Sequence, residues 1–376
     1  MKPVNRRMFL RYLLLTSPFM FTSRIAWPSK EQKREKIAYI TIDTPIEKIH
    51  EAIAVGGVII FFRGTYKLGE VRVPSNCTII GSGQLKYDEL NEKWQGDGTL
   101  ILGSLNCNNA NNFAISNITI DSFTGKLNSL YSVTAKTGPG YINNVTTRAN
   151  NHGQLWEAND DNPENNNAIG NILITECTHY HGPNGFVTKQ KNVTFRNCKV
   201  INIDVQAFVV VSDNINGSSI FSRATNSKIE NCSVTQTLNN GSQGIRVYSR
   251  NYAKNDTVLG VDNVSINDFS SEGLGSNAIT IGDNKKSNNY EKVISKNINL
   301  VINKKISSKY SELKLSHCDE VLIKLPNKKV SVKIETHTGT SNVNIADSGM
   351  TIEGCSLYDV SRGTIDKLKT LVGDKC

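Results

Sequence analysis

Two neighbouring stretches concentrate the side chains that could do chemistry. Asn151-His152-Gly-Gln-Leu-Trp156-Glu157-Ala-Asn-Asp160-Asp161-Asn-Pro-Glu164 is followed by Thr178-His179-Tyr180-His181-Gly-Pro, bringing together three histidines and four carboxylates. Three chemistries are open to this set. β-Elimination on a uronate needs a cation or metal to neutralise the sugar carboxylate and a base for the adjacent proton. Lys189 or Arg246 could be neutraliser or base, and His152, His179 or His181 the base. Glycoside hydrolysis needs two carboxylates at a defined separation, for which Glu157, Asp160 and Asp161 are the candidates. The same three carboxylates could instead hold Ca²⁺ through oxygen ligands. The competing reading is a solvated polar loop, since Asn165-Asn166-Asn167 follows directly.

What must position these residues is a repeat. Ile172-Leu-Ile-Thr-Glu-Cys177, Val193-Thr-Phe-Arg-Asn-Cys198, Ser227-Lys-Ile-Glu-Asn-Cys232 and Val264-Ser-Ile-Asn-Asp-Phe269 are copies of one phrase. Each alternates apolar and polar residues, as a strand with one buried face does. Ile118-Thr-Ile-Asp-Ser-Phe123 and the degenerate Val145-Thr-Thr-Arg-Ala-Asn150 extend the series upstream. The last residues of the phrases then step by 27, 27, 21, 34 and 37 residues, a repeat with loops of variable length. Repeats of this period mean stacked units, and short strands stacked at about 4.8 Å make a parallel β-helix. An antiparallel sandwich also has many short strands, but it does not need one side-chain class at one place in every copy.

After each phrase comes a second strand opening on a small and an apolar residue: Gly185-Phe186, Ala207-Phe208, Gly244-Ile245 and Ala278-Ile279. Registering these predicts an outward row of Tyr131, Trp156, Val187, Val209, Arg246 and Thr280. Beside it runs Val133, Ala158, Lys189, Val211, Tyr248 and Gly282. Such a strip sets Trp156, Tyr131 and Tyr248 among Lys189, Arg246 and Arg250. Flat rings stack on sugars, and arginine grips carboxylates bidentately. Aromatics also favour strands for reasons unconnected with ligands.

Cys177, Cys198 and Cys232 share their place with Phe123 and Phe269, which predicts a buried apolar stack of free thiols. Asn197 and Asn231, one residue earlier, predict a hydrogen-bonding stack at a corner. No cysteine or histidine spacing suggests a zinc site.

The 376 residues are 38% hydrophobic and carry 43 Lys+Arg against 34 Asp+Glu, a net charge of +9. That balance favours polyanionic partners, whether nucleic acid, an anionic membrane or an acidic polysaccharide, and no nucleic-acid-binding signature appears. Asn5-Arg6-Arg7-Met8-Phe9-Leu10-Arg11 precedes an apolar run too short to span a bilayer, so residues 1–30 read as a twin-arginine-like export signal. The chain is then expected in the periplasm or secreted, with no stable membrane span. The β-helix is expected over 38–355, with a C-terminal cap or tail over 356–376. Thr44-Pro45-Ile46-Glu47 predicts a capping box opening a short helix with Ile46, Ile49 and Ile53 on one face, covering the first coil. Thr364 to Val372 predicts a second short amphipathic helix at the far end.

Gly56-Gly57, a strand, Gly64-Thr-Tyr66 and Val73-Pro-Ser-Asn-Cys-Thr-Ile-Ile-Gly81-Ser-Gly83 resemble the opening coils of pectin-lyase-like right-handed β-helix proteins. The resemblance implies an all-β, single-stranded right-handed parallel β-helix and an activity on polysaccharide, with polysaccharide lyase-type cleavage first, a non-catalytic polysaccharide-holding role second and glycoside hydrolysis by paired carboxylates as a further alternative. Of the polygalacturonase sets of that fold, Asn-Thr-Asp, Asp-Asp, Gly-His-Gly and Arg-x-Lys, only Asp160-Asp161 is matched. The Trp-Ile-Asp-His signature of pectate lyases and the Asp-Pro-His-Asp signature of alginate epimerases are absent. In layout, a twin-arginine-like leader before one Asn-rich β-helix, the chain also resembles the β-helix protein of colanic-acid exopolysaccharide biosynthesis. That implies the alternative of a non-catalytic accessory that holds an exopolysaccharide. A glycan-binding tailspike-like module is disfavoured by the leader.

Overall fold

The computed structural model describes residues 36–357, apart from 126–127, 160–168, 215–220, 238–239, 252–259, 283–290, 327–331, 338–339, 341 and 347–353. The chain divides into two units, Met1–Glu35 and Lys36–Cys376. The expected leader and the expected helix at Thr364 to Val372 lie outside the described residues.

The second unit is a right-handed parallel β-helix, and its central coils contribute a strand to each of three faces. On the first face Ile172–Thr175, Val193–Arg196, Thr225–Glu230, Asp262–Asn267, Ser295–Val301 and Cys318–Lys324 stack in parallel. The second face stacks Thr178–Tyr180, Lys199–Ile201, Ser233–Thr235 and Ser270–Glu272. The third stacks His152–Glu157, Asn184–Lys189, Gln206–Asn214, Gln243–Asn251, Ile279–Ile281, Leu313–Leu315 and Lys333–Thr336. The two-strand repeat expected from the sequence therefore lacks a member. The second-face strands Thr178–Tyr180 and Lys199–Ile201 are three residues long, too short to show a period of two.

The corner between the first two faces is a single residue in the left-handed region: Asn117, Asn144, Glu176, Asn197, Asn231 and Asp268, at φ 52 to 56°. Asparagine tolerates this conformation better than most residues. Its amide then joins one coil to the next, Asn144 Nδ2 donating to Asn117 Oδ1 at 2.7 Å and Asn231 Nδ2 to Asn197 Oδ1 at 2.7 Å. The predicted asparagine stack is present. Immediately after the corner Ile118, Val145, Cys177, Cys198, Cys232 and Phe269 form one buried column. The cysteines in it are free, each thiol donating to the carbonyl two residues back at 3.3 to 3.4 Å.

Phe123 and Asn150 do not belong to that column. Val145 pairs with Ile118, and Thr146 with both Thr119 and Thr178, so Ile118 and Val145 are the true counterparts of Cys177. In these two coils a single strand, Phe113–Ser122 or Gly140–Ala149, carries alternating residues across the corner, and the pattern repeats on both sides of it.

Helix Ile46–Val55 buries Ile49 and Ile53 in the same core as Ile59 and Phe61. The capping box does not form: Pro45 is the N-cap with no side-chain bond, and Thr44 Oγ1 accepts from the Thr41 amide at 2.9 Å. Ile46 is exposed, off the buried face. Among the described residues no helix is long and apolar enough to cross a membrane.

The corner yields a prediction. Asn144→Ala, which strains the left-handed residue and removes an inter-coil hydrogen bond, should cost about 1–3 kcal/mol in urea denaturation. Asn144→Gly, which keeps the conformation, should cost less.

Candidate functional site

On the third face the outward row runs Tyr131, Leu155, Val187, Val209, Arg246, Thr280 and Lys314. Beside it Glu157 registers with Lys189, and Val211 with Tyr248. Trp156 thus points inward, against the expectation: it is fully buried, its ring stacked on Phe113 at 5.9 Å. Leu155 takes the place expected for Trp156, and Glu157 that expected for Ala158. The slip is one residue, which reverses every side chain of a strand. It was hidden because Gln154 occupies the level of Phe186, so this coil lacks the small-then-apolar opening of its neighbours.

The corrected register sets three charges together. Lys189 Nζ lies 3.6 Å from Glu157 Oε1 and 3.3 Å from Asp213 Oδ1. Only 8%, 10% and 19% of the Glu157, Asp213 and Lys189 side chains is exposed, so water screens the trio weakly. Beside them on the same face Leu155, Val187, Val209, Val211 and Tyr248 form a second apolar cluster, outside the main core. Burial pushes the Glu157 carboxyl above the ordinary carboxylate range; Lys189 opposes this and Asp213 adds to it. For Lys189 burial acts to lower the pKa, but Asp213 and Glu157 outweigh it and the ammonium is held more firmly than usual. Ser222 donates to Asn159 Oδ1 at 2.9 Å and reaches Glu157 Oε1 at 3.3 Å. Asp213 escaped sequence reasoning because it ends Phe208-Val-Val-Val-Ser212, which reads as pure core; its outward register two residues past Val211 was the available signal.

Next along the face, the guanidinium groups of Arg246 and Arg250 lie 4.3 and 4.4 Å from the Tyr248 ring centre. The Tyr248 phenol is raised by burial, with the two arginines pulling the other way. Tyr131 stands at the other end of the row, its phenol raised first by burial and then by a hydrogen bond with Glu70. Lys189, Glu157, Arg246, Arg250, Tyr248 and Tyr131 therefore share one face.

The histidines divide. His152 begins a third-face strand and is pushed down to about 4, by burial first and then by Lys189. His179 is fully buried among the coils and pushed down to about 3, chiefly by burial. Its Nδ1 is 3.0 Å from Thr147 Oγ1, and it packs on Gly153, where a Cβ would come within 2.2 Å of that nitrogen. It is a packing residue, not a base. His181 sits on another side of the molecule, 3.8 Å from Glu89, and burial is the main cause of its lowered pKa. Asp160 and Asp161 lie outside the described residues, and among those described no group of three or more His, Cys, Asp or Glu is placed to hold a metal ion.

No protein-family model matches the chain, and no curated protein does. Among solved structures it is similar to the A-module of mannuronan C-5 epimerase AlgE6 from Azotobacter vinelandii, at 15% identity over 84% of this chain and 90% of that one, with a TM-score of 0.48. It is also similar to the polygalacturonase of Erwinia carotovora ssp. carotovora, at 13% identity over 89% and 98% of the chains and a TM-score of 0.43. The surface protein and adhesin PfbA of Streptococcus pneumoniae follows at 14%, 83%, 95% and 0.44. The chain's own strand register carries the fold assignment.

The buried histidines predict an acid limit. A histidine whose folded pKa is depressed binds fewer protons folded than unfolded, so its contribution is complete above 6.5 and is lost as pH falls toward about 3 for His179 and about 4 for His152. The melting temperature should drop over that window. The double variant His179→Phe/Thr147→Val should flatten the drop, leaving the His152 share.

Proposed function

We propose that the chain is an exported protein that cleaves an acidic polysaccharide on the outer side of the third face, by glycoside hydrolysis. The observation carrying this reading is one lysine held between two buried carboxylates, of which Glu157 is raised above the ordinary carboxylate range. Glu157, raised toward neutrality, is suited to give its proton to the glycosidic oxygen as the C1–O bond breaks. Asp213, paired with the Lys189 ammonium, is the partner that either attacks C1 or activates the water whose hydroxyl ends there. Their distances to Nζ limit the two oxygens to at most about 7 Å apart, which does not exceed the roughly 9.5 Å upper limit of the spacing that glycosidases use. Arg246, Arg250 and Tyr248 offer the cationic and aromatic surface that an acidic sugar needs.

The same physics ranks β-elimination second. Its neutraliser must meet a substrate carboxylate with spare positive charge, and Lys189 already faces two carboxylates. Its raised pKa also makes it a poor base. Export is supported by the basic leader at Asn5 to Arg11.

Purified protein incubated with a panel of acidic polysaccharides should release new reducing ends without the ultraviolet absorbance of unsaturated uronates. Glu157→Gln and Asp213→Asn should each slow release by about 10²–10⁴-fold. Appearance of the unsaturated chromophore would replace hydrolysis with elimination. Retention of one polymer without any cleavage would leave the accessory, polymer-holding reading.

A further inference from the structure

A second cavity lies on a different side of the solenoid. The hairpin pairing Lys86–Asp88 with Lys93–Gln95 folds over the second face. It is anchored at several points. Trp94 Nε1 donates to Asp121 Oδ2 at 2.8 Å, and the Arg148 guanidinium lies 4.3 Å from the Tyr87 ring centre, 3.9 Å from that of Phe123 and 3.4 Å from Asp121. Tyr87 packs on Tyr180 and on His181, with ring centres 6.0 and 5.5 Å apart, and Asn202 donates to Glu89. The wall this makes encloses a groove of about 490 Å³, within the usual range of ligand sites, lined by Lys86, Tyr87, Glu89, Tyr180, Lys199 and Thr235 among others.

The polar groups of this groove are unequally committed. Asp88 accepts from the Leu90 and Asn91 amides at 3.1 and 3.2 Å, from the Asn91 side chain at 2.8 Å and from Gln95. Glu89 is engaged by Asn202 and His181. Asp88 is thus turned to the hairpin's own donors, and Glu89 to Asn202 and His181 of the solenoid. Lys86 and Lys199 are exposed and come from the hairpin and from the second face, and their ammonium groups make no hydrogen bond or ion pair among the described residues. Two exposed ammonium groups lining one groove suit a carboxylate or sulfate.

We propose that this groove is a second binding site, separate from the third face, for an anionic saccharide unit whose carboxylate or sulfate is held by Lys86 and Lys199. It does not depend on the Glu157 centre. A polymer engaged here is retained by the protein whether or not the other face cleaves it.

Trp94, packed on Tyr87 and Tyr180 with ring centres 5.1 and 6.0 Å away, is a local reporter. Tetragalacturonate, an alginate tetrasaccharide and a heparin tetrasaccharide are titrated against the full chain by tryptophan fluorescence, with maltotetraose as the uncharged control. At least one anionic probe should change the emission, and Trp94→Phe should abolish the change. Lys86→Ala/Lys199→Ala should weaken the apparent Kd by about tenfold or more, while Glu157→Gln leaves it unaltered. No response to any anionic probe, an equal response to maltotetraose, or an unchanged Kd in the double lysine variant overturns the proposal. Loss of binding in Glu157→Gln would assign the signal to the third face and overturn it as well.

Discussion

Everything in this molecule depends on coils that stack in register. A one-residue left-handed corner lets the chain pass from the first face to the second without a loop, and asparagine amides there join Asn144 to Asn117 and Asn231 to Asn197 between adjacent coils. Once the corner is fixed, each residue of a coil stands over its counterpart in the coil below, at the strand spacing of about 4.8 Å. Side-chain columns follow: thiols and aromatics within, and rows of chosen chemistry without. The phenylalanine cluster shows the inward result, with Phe186 and Phe208 stacked at 5.3 Å and Phe195 and Phe269 against them.

The same stacking creates the charged centre. Glu157 and Lys189 are register partners, and Asp213 reaches the same ammonium from the following coil. Two carboxylates share one cation beside an apolar cluster, so their second negative charge is poorly compensated. A proton on Glu157 relieves that imbalance. The raised Glu157 carboxyl is therefore a consequence first of its burial, with Lys189 opposing and Asp213 adding to it, and of no special feature of its own sequence context.

The fold was legible because a column leaves a mark in the sequence at fixed places: Cys177, Cys198, Cys232 and Phe269 after Glu, Asn, Asn and Asp. Asn197 and Asn231 were read correctly as a stack for the same reason. Much of the third-face strip was legible too, since Lys189, Arg246 and Tyr248 fall on copies with a regular small-then-apolar opening. What failed did so where local pattern and tertiary register part company. Gln154 occupies an apolar level and hid the inward turn of Trp156, while His179 looked reactive in sequence but fills space against Gly153. Asp213 sat inside an apparent core strand. The hairpin at 86–95 owes its place to Asp121 and Arg148, far along the chain, so nothing local announces it.

The most direct test of the Glu157 centre is a carboxyl-carbon NMR titration of the intact protein with ¹³C-labelled glutamate, assigned with Glu157→Gln. Glu157 should titrate above its ordinary value of 4.5, moving higher still in Lys189→Met. A midpoint at or below 4.5 would mean that Lys189 dominates over burial, and Glu157 could not serve as the proton donor.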